Sequence, residues 1–344
     1  MNEDQILMVD TTKRILNDHC AKEVVDAAES GTWASSLWEA FESAGLSLAN
    51  IPESLNGSGG QFSDSLLILR EAAKFAAPIP LADTLIASTL LAELNVQVPK
   101  GPIGLGTGEV NFIEDPNSIH ISGRLDGLAY GNECDHWLLV NQNQICLIDR
   151  QSASNMVDIQ THSNIAGEPY VNVLFNKNVA KARLFAYPNA MERVQQLGAI
   201  TRVQLMSGAM SSILELTVQY ALEREQFGRP IAQFQAIQQQ LAVLAGEVSA
   251  CQRAADTLLD ASGVFNIAIS KSRLGDAVAP VCEIAHQVHG AMGYTREHPL
   301  NLRSRRLWVW RDEYGEEVYW QHRLGSDLCM SGADSLWDRI CDVD

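Results

Sequence analysis

No CxxC pair occurs among the seven cysteines, which stand at 20, 134, 146, 251, 282, 329 and 341. An odd, dispersed set argues against a disulfide framework and for reduced, mostly buried thiols in a cytoplasmic protein. Neither these cysteines nor the eight histidines fall at metal-ligand spacing, so no metal site is expected. Positive charge is scarce: 25 Lys and Arg against 42 Asp and Glu give a formal net charge of −17. With no basic cluster to offset it, neither nucleic acid nor an anionic membrane is expected as a partner. Long apolar runs are missing too. The most apolar region, 65–94, is interrupted by Arg70, Glu71, Lys74, Pro78, Pro80 and Asp83 and is not expected to span a bilayer. The N-terminus, MNEDQILMVD, is acidic and lacks a basic-then-apolar pattern, so no signal peptide is expected.

The 344 residues, 46% apolar and 19% charged, suit a soluble globular chain with a sizeable core. Hydrophobic periodicity divides the chain in three. Residues 1–98 read as helices, as in LLILREAAKF and DTLIASTLLAEL, with the turn-rich loop IPESLNGSGGQFSD between. Residues 99–187 carry short β-type runs, SIHISGRLDG, HWLLV, QICLID and VNVLF, with NQNQ at 141–144 as a hairpin turn. Residues 188–344 are helical again. Phe234, Ile237, Leu241, Leu244, Val248, Cys251, Ala255 and Leu258 recur three and four apart, a seam for a long antiparallel neighbour. Gly208 and Ala209 mark a close helix approach on the preceding helix. The expected fold is mainly α with a small β domain: an N-terminal helical domain, a middle β-barrel or sheet domain, and a C-terminal four-helix bundle.

Three stretches bear on chemistry. In YALEREQFGRPIAQFQAIQQQLA, Gly228 and Pro230 break and restart a helix, with Arg224 before the break and Phe227 beside it. An Arg there can grip a phosphate bidentately, an aromatic can stack on a flat ring, and the restarted helix offers free N–H groups to an anion. The plainer reading is a helix kink with a surface Arg. In AHQVHGAMGYTREHPL, Gly290 is expected to end a helix, Gly293 to allow a close approach, and Gln287 to lie one turn before the end. Here the plainer reading is a cap and a turn. In VWRDEYGEEVYW, Asp312, Glu313, Glu316 and Glu317 crowd beside Trp310, Tyr314 and Trp320, where a general base with a raised pKa can be made.

The run from Arg224 through Gln226, Phe227, Gly228, Pro230, Ile231, Phe234 and Gln235 to Gln238 resembles the acyl-CoA dehydrogenase family. So does the run from Gln287 through His289, Gly290, Gly293 and Tyr294 to Glu297 and Pro299, and IPESLNGSGGQFSD resembles that family's N-terminal loop. The resemblance covers about residues 30–325. It implies a flavoenzyme fold with FAD between the β domain and the C-terminal bundle. Arg224, Gln226, Phe227, Gln235, Gln287, Gly290 and Gly293 would then reach the FAD of a neighbouring subunit, Arg224 at the pyrophosphate. The implied reaction is α,β-dehydrogenation of an acyl-CoA thioester: a glutamate takes the α-proton and the flavin takes the β-hydride. An electron-transferring flavoprotein is the implied acceptor.

This sequence departs from the family pattern where the base belongs. Anchored on Gly293, Tyr294 and Pro299, the Glu of the family's Tyr-Glu-Gly triplet falls on Tyr314, and the triplet reads Glu313-Tyr314-Gly315. The family's alternative position, counted from Phe227, falls on Gly263. A Gly takes no proton, and a tyrosine with an ordinary pKa of about 10 is a poor base at neutral pH. If Glu313 continues a helix, its side chain is turned by roughly 100° from a substrate facing position 314. Asp312, Glu316 and Glu317 read as first-turn and surface charges of the final helix, and Asp260 as a weaker candidate still. The family's Thr-Glu and Gly-Ser-Asp segment, which cradles the flavin ring, is missing, and its Trp-Ile-Thr reads Gly127-Leu128-Ala129. An Arg near the CoA falls on Ala199, with Arg202 about one turn later.

These departures point to the degenerate subunit of a heteromeric acyl-CoA dehydrogenase, one that completes the FAD site of a homologous, full-length partner chain. The alternatives are a self-sufficient homo-oligomer using Glu313 as base, a flavin monooxygenase of the same fold, and a non-flavin interaction protein.

Overall fold

A computed structural model describes residues 1–151, 158–335 and 337. Five helices open the chain: α1 (Glu3–His19), α2 (Lys22–Glu29), α3 (Ser35–Ser43), α4 (Phe62–Lys74) and α5 (Leu81–Glu93). α1 begins with a capping box, Asn2 and Gln5 each closing the other's backbone N–H. α5 is apolar on every side and is buried on almost every side, as such a pattern demands. Its buried hydroxyl, Thr84 Oγ1, accepts the Ile103 N–H at 3.0 Å, which stitches the helix to the strand that follows.

Seven strands then form one sheet: β1 (Ile103–Asp115), β2 (Ser118–Ala129), β3 (His136–Val140), β4 (Gln144–Asp149), β5 (Asp158–Ser163), β6 (Pro169–Ala180) and β7 (Arg183–Ala186), in the order β5-β6-β2-β1-β3-β4-β7. All neighbours are antiparallel except β1 and β3. Trp137 and Phe175 meet edge-on in its core, and Trp137 Nε1–H donates to the Gly131 carbonyl at 2.8 Å. The register of β2 on β6 slips between Leu125 and Leu128, where Gly127 takes φ +74° and gives its N–H to Asn172 Oδ1 at 2.8 Å. A glycine adopts that left-handed backbone without strain, which lets the strand bulge here.

After the sheet come α6 (Ala190–Glu223), α7 (Gln235–Asp260), α8 (Val264–His289), α9 (Leu300–Asp312) and α10 (Glu317–Ser331). A short β-ribbon, β8 (Glu225–Gln226) with β9 (Arg229–Pro230), joins α6 to α7. Contacts gather the chain into two compact units. One comprises Met1–Ser65 and Pro78–Gly198; the other comprises Leu66–Ala77 and Ala199–Asp344.

Within the second unit, α4 and α6 approach closely at Gly208, where a Cβ would lie 2.1 Å from the Arg70 carbonyl oxygen and 3.0 Å from Ala73 Cβ. Buried polar groups stitch the same unit. Gln204 Oε1 accepts from Arg70 Nε at 2.9 Å and Nη2 at 2.7 Å, and Gln204 Nε2–H donates to the Ala255 carbonyl at 2.8 Å. The seam of α7 is fully buried only from Leu244 through Val248, Cys251 and Ala255 to Leu258. Phe234, Ile237 and Leu241 are half-buried, so periodicity alone overstated how much of the helix is covered within one chain.

Six cysteines among the described residues are free thiols, five buried and Cys329 exposed; Cys341 lies outside the described residues. Burial pushes the thiols of Cys146, Cys251 and Cys282 up to about 12, which keeps them protonated. Among the described residues no helix is long and apolar enough to cross a membrane.

Two glycines give opposite expectations. Gly208→Ala should lower stability by about 1–3 kcal/mol through overpacking. Gly246→Ala, in α7 with open space around it, should raise stability by about 0.5–1 kcal/mol. Denaturant midpoints of the two variants, measured on the isolated chain, check both signs.

Candidate functional site

The carboxylates of the 309–320 stretch sit at a helix break. α9 ends at Asp312; Glu313 is extended (φ −68°, ψ 139°), Tyr314 is left-handed (φ +54°) and Gly315 likewise (φ +90°). The helical rotation expected between positions 313 and 314 therefore does not apply. What directs Glu313 is an ion pair: Arg202 Nε lies 2.5 Å from Glu313 Oε2. The Arg202 side chain is 7% exposed and that of Glu313 is 23% exposed, so this pair is largely out of water. The same guanidinium stands 4.9 Å from the centre of the Tyr314 ring, a cation–π contact. Tyr314 gives its carbonyl to Trp320 Nε1–H at 3.0 Å.

Lys271 on α8 completes this cluster. It is fully buried, and its Nζ donates to the carbonyls of Trp310 at 3.1 Å and Arg311 at 2.6 Å, closing the C-terminus of α9. Burial pulls its ammonium down to about 7; Glu313 favours the charge, Arg202 opposes it, and Glu317 and Asp312 favour it. Glu317, expected to be a surface charge, is 7% exposed and accepts from Arg311 Nε at 2.9 Å. That bond, ahead of the opposing burial, holds its carboxyl below the usual range. Asp312 and Glu316 are exposed, and Gly263 is an exposed residue at the start of α8. Ala199 is fully buried. The roles of Arg202 and Lys271 are not legible from spacing, since their partners lie 111 and about 40 residues away.

The other group of residues is exposed. Residues 222–229 are all exposed, and Phe227 is 93% exposed at φ +52° on the tip of the β8–β9 ribbon. It meets Phe234 edge-on, and the Arg229 guanidinium stands 4.2 Å from the Phe234 ring centre. The ribbon closes where the Arg224 carbonyl accepts the Ile231 N–H at 2.8 Å. The Arg224 side chain has no hydrogen bond or ion pair among the described residues. Gln226 turns its amide back onto the Glu225 carbonyl at 2.8 Å. Gln235 and Gln287 are exposed, and Gly290 (φ +58°) ends α8 with open space where a Cβ would be. Gly293 differs: it is buried, and a Cβ there would meet His289 Cβ at 2.9 Å. Its role is packing.

The two segments meet through rings. Tyr220, one turn before Arg224, stacks on His289, the last residue of α8, at 4.5 Å and 28°. An unpaired arginine, an upright phenylalanine, two exposed amides and an open glycine suit a dinucleotide: a cation for the pyrophosphate, a ring for a flat surface, and backbone open to close approach. Gly127, Leu128 and Ala129 carry no hydroxyl or indole, and Leu128 is committed to the core of the sheet.

Residues 2–95 match the family model for the acyl-CoA dehydrogenase N-terminal domain, and residues 189–311 match the model for the acyl-CoA dehydrogenase C-terminal domain. The chain belongs to the acyl-CoA dehydrogenase family. Acyl-CoA dehydrogenases of this fold bind FAD. Among its relatives is the acyl-CoA dehydrogenase IpdE2 of Mycolicibacterium smegmatis, 24% identical over 310 residues, covering 89% of this chain and 93% of that protein. Among solved structures, the ChsE4-ChsE5 complex from Mycobacterium tuberculosis superposes with a TM-score of 0.84 at 20% identity, covering 97% of this chain and 99% of that one. The Tcur3481-Tcur3483 steroid ACAD superposes with a TM-score of 0.82 at 21% identity, covering 97% and 99%. At such identities these two likenesses speak for the fold: acyl-CoA dehydrogenase helices on either side, in sequence, of a central sheet.

The Arg202–Glu313 pair generates an energetic expectation. Arg202→Met leaves a half-buried carboxylate without its cation and should cost about 3–5 kcal/mol. Adding Glu313→Gln should recover part of that loss, with a coupling of about 0.5–3 kcal/mol. A double-mutant cycle by chemical denaturation measures it, and additive losses would remove the pair from the account.

Proposed function

We propose that this chain is a non-catalytic subunit of a hetero-oligomeric acyl-CoA dehydrogenase, where it completes the FAD site of a homologous, base-carrying partner. The observation that carries this reading is the engagement of Glu313 by Arg202, with Tyr314 at the family's base position beneath the same guanidinium. The carboxylate nearest the base position already holds a cation, and a tyrosine at 314 has no proton-accepting carboxylate to offer. Gly263, at the second base position, has no side chain. The FAD, when bound, supplies the hydride acceptor; this chain supplies the grip on it. Arg224 would hold the pyrophosphate, Phe227 would lie against the flavin's edge or ribityl chain, and Gln226, Gln235, Gln287 and Gly290 would line the adenosine and pyrophosphate end.

The likeness to a ChsE4-ChsE5 complex and to a steroid ACAD supports a hetero-oligomer and a bulky acyl-CoA thioester as substrate of the assembly. An electron-transferring flavoprotein would take the electrons. The three-part division at about residues 98 and 187, and a cytoplasmic setting, belong to the same proposal.

Three measurements test this reading. The isolated chain should carry well under one FAD, and the chain with its partner one FAD per pair; flavin absorbance against protein concentration decides, and a full complement in the isolated chain would overturn it. Arg224→Ala should weaken flavin binding in the complex by about one to two decades, the loss of a charge-assisted bond worth roughly 1.5–3 kcal/mol. Arg224→Lys should restore part of it. Glu313→Gln should change turnover of the assembly by less than about tenfold, where removal of a true general base costs about 10²–10⁴.

A further inference from the structure

The rings that join the two FAD-facing segments form a larger cluster. His298 stands edge-on to His289 at 4.5 Å and to Tyr220 at 6.0 Å. His286, one turn before the end of α8, stacks on Tyr294 at 4.5 Å. Three imidazoles thus fill the space between the last turns of α6 and α8 and the start of α9. The hydrogen bond at His298 suits the neutral form, whereas His289 faces carbonyls that favour its cation. His289 Nδ1 pairs with the Ala285 carbonyl at 2.8 Å, and its Nε2 is buried without a hydrogen bond of normal geometry. His286 Nε2 pairs with Ser304 Oγ at 3.0 Å, and its Nδ1 is likewise buried without a partner. His298 Nδ1 accepts the Leu300 N–H at 3.2 Å, which a protonated nitrogen cannot do.

We propose that the Tyr220–His289–His298 stack is a positioning device that holds the Arg224 ribbon and the Gln287 helix end in register only while its imidazoles are neutral. Its bearing on FAD rests on the function proposed above; the device itself is a property of this chain alone. Tyr220 offers its carbonyl to the Arg224 N–H at 2.9 Å, so the ring's place fixes the root of the ribbon. Gln287 lies between His286 and His289 on one helical turn, so the same rings fix the amide.

The charges around the stack oppose protonation. Burial is the largest cause on all three imidazoles. On His298 it is joined by His289, by Arg303 from α9 and by His286, which together bring it down to about 4. His286 is lowered by burial and His289. His289 is lowered by burial, against the carbonyls of Ala285 and Leu216, which favour the cation. No carboxylate is among the groups that shift them, and Glu297, beside His298, is exposed. A histidine lowered from 6.5 in the closed stack gives no penalty above that value. As pH falls from about 6.5 toward 4, the opened segment binds a proton that the closed one does not, so the closed form loses ground across that window. At pH 5 His298, brought down to about 4 in the closed stack, favours opening by about tenfold or more.

Deuterium exchange of the isolated full chain, with rates normalised for the intrinsic pH effect, tests the device without flavin or partner. Amides of 220–234 and 286–294 should be protected at pH 7.5 and exchange at least about tenfold faster at pH 5, while the sheet core around Trp137 is unchanged. His298→Asn, which keeps an acceptor for the Leu300 N–H but cannot take a proton, should lose clearly less protection between pH 7.5 and pH 5 than the parent does. Tyr220→Phe should behave as the parent, and Tyr220→Ala should lose protection at both pH values. Equal pH response in His298→Asn and the parent, or intact protection in Tyr220→Ala, would overturn the proposal. Flavin release from the assembled complex over the same pH range then reports separately on the shared site: pH-dependent exchange with pH-independent flavin retention would leave the device standing and count against the shared FAD site.

Discussion

A guanidinium carried into the interior of a helical core has to be met by a carboxylate, because an unpaired buried charge costs several kcal/mol. Arg202 on α6 is that guanidinium and Glu313 is that carboxylate. The pair organises what surrounds it. Glu313 is reachable only because α9 stops at Asp312, and the stop is sealed by Lys271, whose ammonium occupies the last carbonyls of the helix. The chain then turns back through two left-handed residues, Tyr314 and Gly315, so that the Tyr314 ring stands against Arg202 and its carbonyl meets Trp320. Remove the arginine and the reason for the turn goes with it. A stretch rich in acid beside aromatic rings is in this way a structural knot, with its charges spent on one another: Glu313 on Arg202, Glu317 on Arg311.

The other end of the same unit has the opposite character. Residues 222–229 carry an arginine, a glutamine and a nearly fully exposed phenylalanine, and they are held up only by a two-residue ribbon and by rings at its root. Exposed aromatic surface at a helix break is costly unless something covers it. The exposed N-terminal third of α7, with Phe234, Ile237 and Leu241 half-buried, continues that surface. A single chain thus has a closed, charge-neutralised region around Glu313 and an exposed one at 222–229; on the proposed function the first is where a base is missing and the second where a neighbour's cofactor would be gripped.

Much of this was legible in the amino-acid order. Period-three-and-four apolar spacing marked the helices at both ends, alternating short runs marked the sheet between them, and Gly290 marked the end of α8. Those signals are local: a helix or strand shows its buried face within ten residues, and a glycine shows a left-handed turn at its own position. The family motifs at 224–238 and 287–299 are local in the same sense, since each is one continuous segment. That a tyrosine stands at 314, between Glu313 and Gly315, is also a fact of order alone.

Tertiary structure decided the rest. What Glu313 meets depended on where α9 ends, and that end is closed by Lys271 about 40 residues earlier. Whether Glu317 is a surface charge or a buried one depended on the packing of α10 against α8, where a Cβ at Gly275 would lie 2.9 Å from the Glu317 side chain. Whether Gly293 opens onto a ligand or packs under a histidine depended on the turn after α8. Sequence fixes which groups exist and which faces are apolar, because those follow from neighbours along the chain; it leaves open which charge meets which, because an ion pair is made between residues that only folding brings within a few ångströms.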